Sequence, residues 1–422
     1  MKILCPFCLR YFDNSKAKFL CHNATYRCQV GATQEYVDYC NSMNPSSPVS
    51  MDSPGVQRPT VYKGGWSLFG PPKPTACPSC GDTAADYVCP HCHNSLPADL
   101  VKYGADVIPV IGGPCSGKTN YTVALISQLE NEGWRLNLTA TFQDLYGSNV
   151  IEGADPLSGY KSMRERLFEE KQCLDQTRPH QHGVITPPWF VKIETNGKKN
   201  KRPTFLIFYD IAGEHFKDAS GMRTQARQLR YAAGAIVIFD ARGLKNIQQV
   251  RKKRGVEERQ AVYSIEETVK QLLQATDNDN VLSDAPIAFT FSKADLIEEY
   301  RLDLSPEDEI GGTVDLKQNS LFLQPCFNYR NLVRQNDFQL FLQECDSIDR
   351  GFKDGMARLG MNSVIAKKKQ WKEENIHYFA VSALGQEPND TQTIEAEEIV
   401  PYRVLDPLVW ILHRLGKLDI PK

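Results

Sequence analysis

Two groups of residues in this 422-residue chain have the types and spacing to do chemistry. The first is Gly112-Gly113-Pro114-Cys115-Ser116-Gly117-Lys118-Thr119, which satisfies GxxxxGK(S/T) where an apolar run gives way to a helical pattern. Glycines let such a loop curl so that successive N–H groups face phosphate oxygens, and the helix N-terminus adds partial positive charge. Lys118 is expected to reach the β- and γ-phosphates of a nucleotide, and the Thr119 hydroxyl to ligate Mg²⁺. Cys115 fills space in the loop, and Asn120 ends the stretch expected to touch the nucleotide. Further on, an apolar run ends in Tyr209-Asp210, with Gly213 shortly after. A carboxylate at the end of a neighbouring strand holds Mg²⁺, usually through water, and the glycine lets a backbone N–H approach the γ-phosphate.

The second group is cysteine. Of thirteen cysteines, Cys5, Cys8, Cys21, Cys28, Cys40, Cys77, Cys80, Cys89 and Cys92 lie near the start of the chain. At this density, CxxC spacing points to metal rather than disulfides in a reducing compartment. Cys77, Cys80, Cys89 and Cys92 have zinc-ribbon spacing, two knuckles around one Zn²⁺. Cys5 and Cys8 form a further knuckle, and Cys21 and Cys28 complete a second site, with Cys40 left over. Spacing leaves open the interleaved alternative, in which Cys5 and Cys8 join Cys89 and Cys92. Pro follows the first Cys of all three CxxC pairs, as in many zinc knuckles. His22, His91 and His93 are candidate substitute ligands, but they flank the cysteines and are expected on the surface. Fully thiolate sites keep no open position, so the two ions are expected to be structural. With few apolar residues in the first hundred, they should supply much of that region's folding energy.

The elements that must position these residues follow from hydrophobic patterning. From Ala105 onward, short apolar runs alternate with amphipathic helical patterns, the signature of an α/β fold with a mostly parallel central sheet flanked by helices. The runs are Val107–Ile111, Phe190–Glu194, Phe205–Tyr209, Ala235–Phe239, Ile287–Phe291 and Tyr378–Val381. Most are apolar throughout, as strands covered on both faces are. Pro109 forfeits a ladder hydrogen bond, so the first strand is expected to be distorted. Tyr121, Leu125 and Leu129 mark the helix after the loop, with Gly133 to stop it. Asp406 as N-cap, Pro407 at N1 and Gly416 at the stop mark a C-terminal helix. A further helix is expected around Tyr160–Gln172, while residues 296–335 show no clear period. The organisation is thus a small zinc-ribbon domain over 1–100, with a flexible Ser/Pro-rich insertion at about 41–60, and a P-loop NTPase domain over 101–422.

Composition narrows the setting. Hydrophobic residues at 41% and charged residues at 24% are ordinary for a soluble globular protein. A net charge of -2 gives no basic field, and no aromatic-basic stripe supports nucleic-acid binding. No apolar run approaches the ~18 residues needed to span a bilayer, and Met1 to Cys5 lacks a signal peptide's apolar stretch. A cytoplasmic protein that does not engage membranes is the expectation.

In motif order and strand context, the chain from about residue 105 to 416 resembles the translation-factor-related (TRAFAC) class of P-loop GTPases. That family's base-recognition motif, (N/T)KxD, is matched by Ser292-Lys293-Ala294-Asp295. The resemblance implies that Asp295 accepts hydrogen bonds from guanine's ring N–H and amine while Lys293 packs along the base. The corresponding ring nitrogen of adenine is an acceptor and cannot pair there. The family's last motif appears as Ser382-Ala383-Leu384, whose backbone amides would contact the base oxygen. Ser292 departs from the usual Asn, removing an amide that ties the base loop to the phosphate loop. Glu214, followed by His215, stands where Ras-like members place the Gln that orients water. Its charge near the γ-phosphate implies slow hydrolysis without a partner. Thr186 is the candidate for the Thr that closes over Mg²⁺, against an ordinary loop threonine. Arg178 is a candidate arginine finger, against a solvated loop arginine. The cysteine-rich start and the closing run from Leu405 to Gly416 look like the bacterial double-GTPase families, proposed parts of multi-protein conflict or defence systems.

The expected function is Mg²⁺-dependent binding of GTP and GDP with slow, partner-activated hydrolysis, used as a switch. Protein partners are expected at the zinc-ribbon domain and the switch regions. Two rivals stand beside it: a P-loop ATPase or phosphotransferase, and a nucleotide-binding scaffold whose zinc module binds partners without useful turnover.

Overall fold

The computed structural model describes residues 1–23, 28, 31–43, 47–53, 56–57, 60–68, 70–83, 85–143, 159–174, 188–195, 203–209, 227–256, 264–276, 282–299, 332–358 and 371–418. The cysteine-rich region contains β1 (Lys2–Leu4), β2 (Tyr11–Asp13), β3 (Lys18–Cys21), α1 (Gln34–Met43), β4 (Val61–Lys63), β5 (Ala85–Val88), β6 (Ser95–Leu96) and α2 (Ala98–Tyr103). There follow β7 (Ala105–Val107), β8 (Val110–Gly112), α3 (Lys118–Glu132), β9 (Leu138–Gln143), α4 (Tyr160–Phe168), β10 (Trp189–Thr195) and β11 (Thr204–Phe208). The chain continues with β12 (Ala235–Asp240), α5 (Lys245–Lys253), α6 (Ile265–Thr276), β13 (Ile287–Ser292), α7 (Ala294–Glu299), α8 (Gln335–Arg358), β14 (Ile376–Ala380) and α9 (Asp406–Arg414).

The distorted first strand expected from Pro109 is two strands, β7 and β8. One half pairs in parallel with β11 and the other in parallel with β12. Proline has no N–H to give, but its carbonyl accepts from Ile236 N at 3.0 Å, while Ile108 N donates to the Ile207 carbonyl at 3.0 Å. The break therefore hands the ladder from one side to the other. It joins the sheet β7-β11-β10-β9 to the sheet β14-β13-β12-β8. β8, β12, β13 and β14 are parallel, and β10 is antiparallel to both β9 and β11. Sequence patterning missed β9, because its buried Leu138 and Ala140 alternate with exposed threonines and leave no continuous apolar run.

Because strand side chains alternate, the sheet has two apolar faces. Phe205, Ile207, Ala235, Val237, Phe239, Ile287 and Phe289 share one face with α5 and α6. Leu206, Phe208, Ile236, Ile238, Ala288 and Phe379 share the other with α3, α4 and α9. The C-terminal helix is capped one residue earlier than expected. Leu405 is the N-cap and Asp406 is already helical, its carboxylate paired with Arg403 at 2.6 Å.

The cysteine-rich region packs against this sheet rather than standing apart from it. Ile3, Leu9, Phe12, Leu100 and Val101 belong to the same buried cluster as Phe190 and Phe205. Phe7 lies 5.9 Å from the Phe190 ring, and Lys192 pairs with Asp99 at 2.9 Å. The Ser/Pro-rich stretch, expected to be flexible, is pinned where it is described. Val56 is buried with Tyr36 and Val37, and the Asn41 side chain bonds both backbone groups of Val49. Most telling, the hydroxyl of fully buried Tyr209 donates to the buried Pro6 carbonyl at 2.6 Å. Tyr209→Phe should leave that carbonyl unpaired and cost about 1–3 kcal/mol, seen as a lower thermal midpoint. An unchanged midpoint would mean the contact adds nothing to stability.

Candidate functional site

The phosphate loop runs from the end of β8 to the first residue of α3. At Gly112 a Cβ would lie 2.6 Å from the Ile238 carbonyl oxygen on β12, so only glycine permits this approach. Gly117 has φ +81, and Cys115 has φ +58, a left-handed backbone that side chains rarely adopt. Lys118 Nζ and Ser116 Oγ each donate to the Gly113 carbonyl at 2.9 Å, curling the loop over its own lysine. Lys118, Thr119 and Ser116 are buried. Asn120 points elsewhere, since its side-chain oxygen accepts from Leu174 N at 3.0 Å.

The two predicted base-recognition loops meet this one. Ser292 closes β13, and its hydroxyl lies 2.8 Å from the Ser116 carbonyl and 3.1 Å from the Phe239 carbonyl. The tie to the phosphate loop expected to be lost with Asn is therefore made by the shorter side chain. Lys293, at φ +60, donates from Nζ to the Cys115 carbonyl at 3.2 Å. Asp295 begins in the first turn of α7, and burial raises its pKa against a hydrogen bond from the Ser382 side chain. Ser382 Oγ also accepts from Gly385 N at 2.9 Å, and its backbone pairs both ways with Tyr402. Gly385 has φ +81, and a Cβ there would lie 2.7 Å from the Val400 oxygen. Ala383 and Leu384 pack against the core that the sheet shares with α3, α4 and α9. The predicted Asp210, Gly213, Glu214 and Thr186, with His215 and Arg178, lie outside the described residues.

Sequence reasoning missed Asp240, the last residue of β12. It stands beside Ser292 in the sheet register and contacts Lys293 Nζ at 2.6 Å. Its signal was a lone carboxylate closing the otherwise apolar run Ala235–Asp240, followed two residues later by Arg242.

The cysteines form two sets of four, with each set's sulfur atoms all within 4.8 Å of one another. Cys5, Cys8, Cys89 and Cys92 make one set, and Cys21, Cys28, Cys77 and Cys80 the other. This is the interleaved arrangement; Cys77, Cys80, Cys89 and Cys92 do not surround one ion. The reason is β5, whose four residues separate the pairs by roughly 13 Å. Its antiparallel pairing with β3 sets Cys21 opposite Ala85 at one end and Lys18 opposite Val88 at the other. The three CxxC turns share one geometry. Cys5, Cys77 and Cys89 each accept at the carbonyl from the amide of Leu9, Gly81 or His93, and all three of those residues have positive φ. His93, expected on the surface, is 1% exposed, held by Thr33 Oγ1 at 2.8 Å and Lys18 Nζ at 3.1 Å.

Both sets fit a tetrahedral dication. Thiolates 2.3 Å from zinc stand about 3.8 Å apart. The nearest sulfur pairs are 3.6 Å (Cys5–Cys92), 3.9 Å (Cys8–Cys89), 3.4 Å (Cys21–Cys80) and 3.9 Å (Cys28–Cys77). Burial drives the Cys5 and Cys92 thiols up, while hydrogen bonds from Cys5, Cys89 and Cys92 hold Cys8 far below its usual range. Burial opposes ionisation of Cys77, but the backbone amides of Ser79 and Cys80 bring it to about 7. A bound dication would compensate the charge of the thiolates in each set.

A parallel sheet whose first strand feeds a GxxxxGK(S/T) loop, with two further loops gathered beside it, has the fold of a P-loop GTPase. The chain belongs to the double-GTPase 2 family, whose model matches residues 106–319. Over 376 residues it is 23% identical to the putative ESX-1 scaffolding and assembly protein SaeC of Mycolicibacterium smegmatis, covering 83% of this chain and 85% of that protein. Crystal structures of the S. cerevisiae Ski7 GTPase-like domain align at 12% identity. One is bound to GTP and the other to GDP and inorganic phosphate, with TM-scores of 0.30 and 0.28. These alignments cover 75% of this chain and 51% of theirs, so the chain spans about half their length.

Cys115 offers a local test of the loop. Cys115→Gly should relieve its left-handed backbone and raise stability by up to about 1 kcal/mol, measured by thermal unfolding. A lower midpoint would show that the thiol packing outweighs the strain.

Proposed function

We propose that this protein binds GTP and GDP with Mg²⁺ and hydrolyses GTP slowly, as a switch that acts on protein partners. The observation that carries this is the convergence of three loops. Ser292 and Lys293 are bonded to the phosphate loop, while Ser382 is bonded to Asp295. In this reading, Lys118 and the loop amides hold the phosphates, Asp295 selects guanine, and the Ser382–Leu384 backbone meets the base oxygen. Thr119 and Asp210 would hold Mg²⁺, which supplies neutralising charge to the β- and γ-phosphates. Gly213 would sense the γ-phosphate, Thr186 would close over it, and Glu214 would address the attacking water.

The metal-bearing module over residues 1–100 is the proposed docking and output surface, with the GTPase unit over 101–422. Tyr209 directly precedes Asp210 and is bonded to Pro6, inside the first CxxC turn, which supports communication between the two. The mycobacterial relative's name speaks of scaffolding and assembly, and the family resemblance of conflict or defence systems. Both settings require protein partners. Among the described residues, no helix is long and apolar enough to cross a membrane. A reducing, cytoplasmic setting suits eight thiols that must stay reduced. Glu214 in place of Gln favours one second reading, a nucleotide-dependent scaffold without turnover, which single-turnover hydrolysis with and without partners would separate.

Fluorescent GDP bound with Mg²⁺ should be displaced by GTP and GDP but not by ATP or ADP, and Asp295→Ala should lose that selectivity. Equal displacement by ATP would remove the guanine reading. The metal sites are tested separately by elemental analysis. Purified protein should carry about two zinc ions per chain, and Cys8→Ser about one. Metal-free protein that stays folded with all thiols reactive would refute them.

A further inference from the structure

Asp240 is 5% exposed and lies between two cations. Arg242 grips it from one side, with Nε at 3.1 and 3.0 Å from its two oxygens and Nη2 at 2.6 Å from Oδ2. Lys293 Nζ approaches Oδ2 from the other at 2.6 Å. Burial alone would push this carboxyl up, but the two cations hold it below its usual range, so it is charged at neutral pH. Lys293 Nζ is therefore fixed at two points, on β12 through Asp240 and on the phosphate loop through the Cys115 carbonyl. With its backbone at φ +60, the lysine stem runs from the end of β13 toward the phosphate loop.

We propose that Asp240 is a positioning residue for nucleotide binding, anchoring the Lys293 ammonium so that the lysine stem is held against the bound base. This rests on the guanine-nucleotide reading above. Arg242 keeps the carboxylate aimed at Lys293. A stem already fixed loses little freedom when a base packs on it, so the anchor should lengthen nucleotide residence. Base choice stays with Asp295.

The test is a double-mutant cycle on fluorescent GDP dissociation, using wild type, Asp240→Asn, Lys293→Met and the double variant. Each single change should speed dissociation about 10- to 100-fold, the worth of one charged hydrogen bond. The double variant should be no faster than the faster single, because both remove the same contact. Discrimination against ADP should persist in Asp240→Asn, which a general loosening of the site would not allow. Unchanged dissociation, or additive effects showing that Asp240 acts through Arg242 alone, would overturn the proposal while leaving guanine binding intact. Wild-type protein without GDP preference would overturn the guanine reading and this inference with it. Should Asp240→Asn not fold, Asp240→Glu keeps the charge but displaces it, and faster dissociation is again expected. Unchanged dissociation there would overturn the proposal.

Discussion

Everything in the nucleotide-binding unit hangs on one short strand that must pair on both sides. Residues 105–112 cannot form an unbroken ladder, because Pro109 has no proton to donate. The chain meets this by pairing first with β11 and then with β12, and the proline carbonyl still serves as an acceptor. Two half-sheets become one surface with an apolar face on each side. The carboxyl ends of its parallel strands then fall together, where loops can gather around a ligand.

At that edge, small groups decide the geometry. A serine hydroxyl ties β13 to the phosphate loop, and two glycines admit backbone oxygens at distances no side chain tolerates. Buried charge is balanced locally rather than avoided. Asp240 faces two cations, and buried Arg403 faces Asp406 and Glu344 at the start of α9. A lone ion at either place would be costly, and paired ions fix direction as well as charge.

How legible was this in the sequence? The parallel strands were, since burial on both faces writes continuous apolar runs such as Ala235–Phe239. The phosphate loop was, because it follows such a run. β9 and α1 were not, because their buried residues are sparse and interspersed with polar ones. The cysteine grouping could not be decided from spacing either: it depends on β5 carrying two adjacent CxxC turns to opposite ends of a strand, which is a fact of pairing. The role of Ser292 was misjudged for a similar reason. The missing amide suggested a lost tie, but a hydroxyl can make it where the Ser116 carbonyl lies near enough, and that distance is set by the sheet.

The interleaved cysteines have a consequence for synthesis. Cys21, Cys28, Cys77 and Cys80 all fall between Cys8 and Cys89, so one set is nested inside the other along the chain. On a polypeptide leaving the ribosome the inner four are the first set to be complete. The outer set cannot be completed until Cys92 has emerged, and Pro6 meets Tyr209 still later. Residues 5–8 are thus made well before the segments that must receive them, and wait on a strand far downstream to find their place.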